Sequence, residues 1–129
     1  MNKQFQQYFS TIWPAIIWSV IIFLLLVVPP IRIAKERQLD ITHLDKIIHF
    51  ILFAVLVALW GYYFKSKRFT FFKLLFTLAG FVLLSTFYGI LMEYVQLWAG
   101  RDFDVWDMLA DGVGAVAGWL FIAVKERPR

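Results

Sequence analysis

Residues 91–118 read LMEYVQLWAGRDFDVWDMLADGVGAVAG. Two strongly apolar stretches enclose Arg101, Asp102 and Asp104, with Glu93 just before this polar segment and Asp107 and Asp111 just after it. The acids gather where one membrane helix should end and the next begin. Helical spacing decides which of them can meet. Asp104, Asp107 and Asp111 are three and four residues apart, so they form one stripe along the start of a helix. The stripe continues as Gly114 and Gly118, a small-xxx-small pattern that favours close helix packing in lipid. That face therefore looks into a bundle.

Composition supports a membrane setting. The chain has 129 residues, of which 61% are hydrophobic and 19% aromatic, with a mean hydropathy of +0.71. Soluble domains are typically about 45–50% apolar. At this length a single domain, residues 1–129, is expected. The chain has no Cys, which excludes a disulfide framework and a cysteine metal site. Its net charge of +4 does not point to nucleic acid, because the basic residues fall mostly in short loops between apolar runs and no nucleic-acid-binding motif is present.

Four apolar segments can be drawn, about 11–28, 44–64, 71–99 and 107–124. Each reaches the ~17–25 residues that a span needs, and the first stops at Pro29-Pro30, which cannot continue a helix. That first segment is too long for a signal-peptide apolar region and lacks a small-x-small cleavage site, so it is expected to be retained. The predicted fold is all-α: an integral membrane four-helix bundle. Four spans put both termini on one side, with Lys3, Lys65, Lys67, Arg68, Lys73, Lys125, Arg127 and Arg129. Arg32, Lys35, Arg37, Lys46 and Arg101 lie on the other. The positive-inside rule makes both termini cytoplasmic, as expected of a multi-pass protein of the bacterial plasma (inner) membrane. Eight of the nine acids then lie outside; only Glu126 is inside. Trp98 and Trp106 are expected at the outer interface, and Trp60, Tyr62 and Tyr63 at the inner one. The segment 31–43 reads as an exposed loop or a short interfacial helix.

Asp45 and His49, four residues apart, share a face at the outer start of the second span, and Glu93 and Gln96, three apart, share one near the end of the third. Asp111 lies about 6 Å beyond Asp107, and His49 about 6 Å beyond Asp45. These groups are therefore expected to ring a shallow pocket near the outer interface, not a relay through the midplane. Simpler roles exist for several of them. Asp104 or Asp107 can serve as a helix N-cap, Arg101 can neutralise neighbouring acids, Asp45 and Lys46 can form an ordinary helix-start pair, and His49 can be a packing residue. Glu93 and Asp111 are harder to dismiss, because an ionisable group inside a span costs at least ~2.5 kcal/mol and signals a functional site by default.

DKIIHF (45–50), EYVQ (93–96) and RDFDVWDMLADGVGAVAG (101–118), taken in order, resemble the VanZ-like family, whose namesake is associated with low-level teicoplanin resistance. The family's motif residues fall on Asp45, Lys46, His49, Glu93, Gln96, Arg101, Asp104, Asp107, Gly114 and Gly118. Where the family commonly has Asn, this chain has Asp111, an added negative charge that suits cation binding or a carboxyl kept protonated.

Three functions compete. The first is an envelope-facing protein that binds or modifies a lipid-linked or cell-wall component. In its enzymatic form Glu93, Asp107 and Asp111 hold a divalent cation, with Glu93, His49 and Asp107 as the catalytic set. Asp45, Lys46, Gln96, Arg101 and Asp104 then bind ligand, Lys46 and Arg101 pairing with a phosphate or carboxylate. The second is a transporter or channel subunit, which the apolar inner halves ILFAVLVALW and GWLFIAV argue against. The third is a structural or partner protein whose polar cluster only fixes helix packing.

Overall fold

The computed structural model describes residues 3–28 and 41–128. Among them lie five helices and no strand: α1 (Lys3–Phe9), α2 (Trp13–Val27), α3 (Ile41–Ser66), α4 (Phe71–Trp98) and α5 (Val105–Lys125). The helices match the predicted segments to within a few residues. α1 is an addition, outside the apolar segments, and most of segment 31–43 lies outside the described residues. α3, α4 and α5 are each long and apolar enough to cross a membrane. α2, with 15 residues, is shorter, about 22 Å.

Apolar sequences this long stay helical because hydrocarbon offers no partner to a free backbone amide or carbonyl. Pro14 falls in the first turn of α2, where a missing N–H costs nothing. α4 ends in a paired motif: Gly100 adopts φ +84, its amide donates to the Leu97 carbonyl, and the Arg101 amide donates to the Gln96 carbonyl. Only glycine takes that left-handed turn without strain. α5 then starts on Asp104, whose side chain accepts the Trp106 amide at 2.8 Å.

The surface is the reverse of a soluble protein's. No more than a third of the most apolar 18-residue stretch of α3, α4 or α5 is buried, and residues such as Phe76, Leu83, Phe121 and Val124 point outward. His49, Glu93, Gln96, Asp107 and Asp111 point inward. Apolar exterior with polar interior is stable when the surroundings are lipid.

α5 packs most closely on α3. A Cβ on Gly114 would strike the Phe50 carbonyl, and one on Gly118 the Ala54 carbonyl, so the glycine stripe lets α5 lie against the backbone of α3. Below this contact Val57, Leu74, Leu78, Ala115 and Ile122 form one apolar core, while Ile22, Leu26, Leu52, Phe53, Leu56 and Met92 form another around α2. Side chains also bond to backbone across helices: Trp18 Nε1 to the Leu52 carbonyl, Tyr88 hydroxyl to the Ser19 carbonyl, and Trp119 Nε1 to the Leu75 carbonyl. Trp60 is half-buried, stacked on Phe64 and 4.6 Å from Phe81, because the cleft beside α4 offers aromatic partners. Trp98 and Trp106 are exposed.

A buried acidic cluster where helix ends converge

The start of α3, the end of α4 and the start of α5 meet at one end of the bundle, and there the sequence-predicted residues come together. His49 Nδ1 lies 2.8 Å from Asp111 Oδ1, a pair that joins α3 to α5 across 62 residues and is fully buried. Lys46 Nζ reaches Asp104 Oδ2 at 2.6 Å and Asp107 Oδ1 at 3.1 Å. Arg101 donates to Asp45 Oδ2 at 3.3 Å. Glu93 Oε2 accepts the Asp104 backbone amide at 3.0 Å.

That last bond changes the role of Asp107. In a capping box the residue three past the cap reaches back to the cap's own amide. Here Glu93, from α4, takes that amide, and Asp107 turns toward Lys46 and His49. The starts of α3 and α5 also present the positive ends of their dipoles, which favours carboxylates. Asp104 sits outside the spans. The Lys46 ammonium hydrogen-bonded to it holds its carboxyl below the usual range, with help from the Trp106 amide.

Asp111 needs space that α4 supplies. A Cβ on Gly89 would overlap the Asp111 carboxylate, so glycine at 89 makes room for the side chain between α3 and α4. Gln96 and Arg101 reach a different target, both donating to the Leu26 carbonyl at 3.0 and 2.9 Å. In a continuing helix that carbonyl would receive the amide of residue 30, but Pro29 and Pro30 have no N–H to give. The two side chains therefore replace a backbone donor and pin the end of α2 to the cluster. Neither Gly89 nor the Leu26 carbonyl was foreseen from the sequence, although Pro29-Pro30 was a readable sign of the second.

The cluster is packed, not a shallow open pocket. His49, Glu93 and Asp111 are 0% exposed. Three of their atoms, His49 Nε2, Glu93 Oε1 and Asp111 Oδ2, are buried without a hydrogen-bond partner. The rim is open, since the Asp45 and Asp104 side chains are each 31% exposed. Among the described residues, Asp45, His49 and Asp107 have ligand atoms within 4.8 Å of one another. This differs from the predicted triplet Glu93, Asp107 and Asp111: Glu93 is drawn to the Asp104 amide, and Asp111 stands behind His49 on the Nδ1 side.

Among the described residues, two further cavities stand away from the cluster. One, about 540 Å³, is an apolar groove lined by α2, α3 and α4, including Phe23, Leu56, Trp60, Leu84, Tyr88 and Leu91. The other, about 330 Å³, is at the opposite end, where Lys125 donates to the Tyr62 hydroxyl and Lys65 pairs with Glu126.

Long helices with apolar exteriors and a buried polar cluster at one end define a membrane helix bundle. A family model described as VanZ/LLP1 matches residues 2–126, and the chain belongs to that family. No curated protein and no solved structure matches it.

Proposed function

We propose that this protein binds a lipid-linked component of the cell envelope, with the polar head at the acidic cluster and the apolar chain in the groove between α2 and α4. The observation that carries the reading is that the cluster and the groove share α3 and α4. Leu56 in the groove lies seven residues, roughly 10 Å, along α3 from His49 in the cluster. Ligand sites commonly combine an apolar chamber with a few convergent polar groups. Asp45 and Asp104, partly exposed at the rim, are the first contacts of a head group bearing hydroxyl or amino groups. Family membership is consistent with a link to glycopeptide resistance through such a component.

In this proposal residues 1–129 are one domain that crosses the bacterial plasma (inner) membrane four times, with α2 as the short first span, both termini cytoplasmic and the cluster outward. The chain has no Cys, so single-cysteine labelling can read that topology directly. Labelling of residue 102 only from the cytoplasmic side would reverse it.

The test of binding is a titration of detergent-purified protein with a prenyl-phosphate-linked saccharide, read by native mass spectrometry, in the presence of chelator. Wild type should retain the lipid. A groove-filling Ser85→Phe variant should lose it, while matched phospholipids compete weakly. Equal retention by wild type and the filled variant sinks the proposal.

One observation favours a second reading. Glu93, Gln96, Arg101 and Lys46 all bond across helices, as expected of a cluster that only fastens the bundle. That reading leaves the three partnerless buried atoms without a purpose.

A further inference from the structure

We propose that Asp45, His49 and Asp107 form a binding site for a divalent first-row transition-metal ion, with Asp111 as the residue that fixes the imidazole. The inference rests on the acidic cluster being a site, and adds a ligand of a different kind from the lipid.

The acids alone would not carry it. His49 does. Its side chain is fully buried, and its Nε2 has no hydrogen-bond partner although it faces Asp107 Oδ2 at 4.0 Å. On the other side of the ring Nδ1 is held by Asp111 at 2.8 Å. An ionised Asp111 keeps the proton on Nδ1 and leaves the Nε2 lone pair directed at the carboxylates. A carboxylate behind the imidazole and a free nitrogen in front is how metal-ligating histidines are held.

The neighbours leave ligand atoms for the ion. Asp107 gives Oδ1 to Lys46 and turns Oδ2 toward His49, while Asp45 gives Oδ2 to Arg101 and keeps its other oxygen. Among the described residues, Asp45, Glu93, Asp104, Asp107 and Asp111 face Lys46 and Arg101 as permanent cations, an excess of three negative charges there when all five are ionised. Placing that excess in a bundle end is expensive, and a divalent cation offsets most of it. In a tetrahedral shell two ligands about 2.1 Å from one ion stand about 3.4 Å apart. The present spread of 4.8 Å therefore closes when each side chain moves by less than an ångström. One imidazole and two carboxylates match transition ions better than Ca²⁺ or Mg²⁺, which prefer all-oxygen shells. Asp45 at the rim supplies the way in, and the remaining coordination positions are left to water or a ligand's oxygen.

The test uses the full chain in detergent, stripped with chelator and dialysed, with no lipid added. Zn²⁺ binding is followed by calorimetry, and Co²⁺ by visible absorption, which reports nitrogen ligation. Wild type should take up one ion per chain. Asp45→Asn, half-exposed and the gentlest to the fold, should weaken binding at least tenfold. His49→Gln should abolish it, and Asp111→Asn should cost about 10–100-fold, as loss of an outer-shell partner does. Exposed Asp102→Asn should bind like wild type. If His49→Gln fails to fold, Asp45→Asn and Asp111→Asn decide. No uptake by wild type overturns the proposal, and so does equal weakening by Asp102→Asn, which marks diffuse attraction to acids. Neither result touches the lipid titration, which is run in chelator.

Discussion

The Leu26 carbonyl offers the sharpest test of how this bundle is fastened. It belongs to a residue only 2% exposed and receives Gln96 Nε2 at 3.0 Å and Arg101 Nη1 at 2.9 Å. Neither Pro29 nor Pro30 can donate to it. Gln96→Leu removes one neutral donor and leaves Arg101 in place, so it should cost ~0.5–1.5 kcal/mol. Arg101→Met removes a charged donor from both Leu26 and Asp45 and should cost ~1.5–3 kcal/mol, with Gln96 still serving the carbonyl. The double variant leaves a buried carbonyl with no donor, which adds its own desolvation penalty of ~1–3 kcal/mol. The double should thus lose more than the sum of the singles, a coupling inside the ~0.5–3 kcal/mol range of groups that share a partner. Reversible unfolding in mixed micelles, over a denaturing-detergent series, reads all four corners of the cycle. For a chain of this size about 1 kcal/mol moves the melting midpoint by roughly 3–5 °C. Additivity within ~0.5 kcal/mol would refute the reasoning, because it would mean that the two side chains do not serve a common acceptor.

Two other predictions concern the helix contact and the rim. Gly114→Ala puts a methyl on the Phe50 carbonyl and should destabilise by ~1–3 kcal/mol, the usual cost of overpacking. Gly80→Ala, where an added Cβ meets nothing within 4 Å, should instead be neutral or gain up to ~1 kcal/mol; both are read by the same unfolding assay. At the rim, Lys46 lowers the Asp104 carboxyl, so the pair's stabilisation is complete above the unfolded value of ~3.9 and is lost as pH falls through the lower folded value. Wild type should lose stability below about pH 4, and Asp104→Asn, which keeps an N-cap, should flatten part of that slope. An unchanged slope in the variant would remove Asp104 from the acid response.

Sequence by itself determined the four apolar helices α2 to α5 and their polarity, but not α1. Uninterrupted apolar runs impose helices, and Pro29-Pro30 and the segment around Arg101 set their limits, because backbone amides and φ angles respond to neighbouring residues. The three- and four-residue spacing of Asp104, Asp107 and Asp111 placed them on one face, and Gly114 and Gly118 named the face that packs. Spacing along a helix says nothing of which atom on another helix a side chain meets. Only the tertiary structure decided that Asp111 stands behind His49, that Glu93 takes the Asp104 amide and so releases Asp107, and that Gly89 makes room for the carboxylate. It also decided that Gln96 and Arg101 turn to α2. Those choices depend on the rotation and separation of helices distant in sequence, and steric fit between them is a property of the packed bundle.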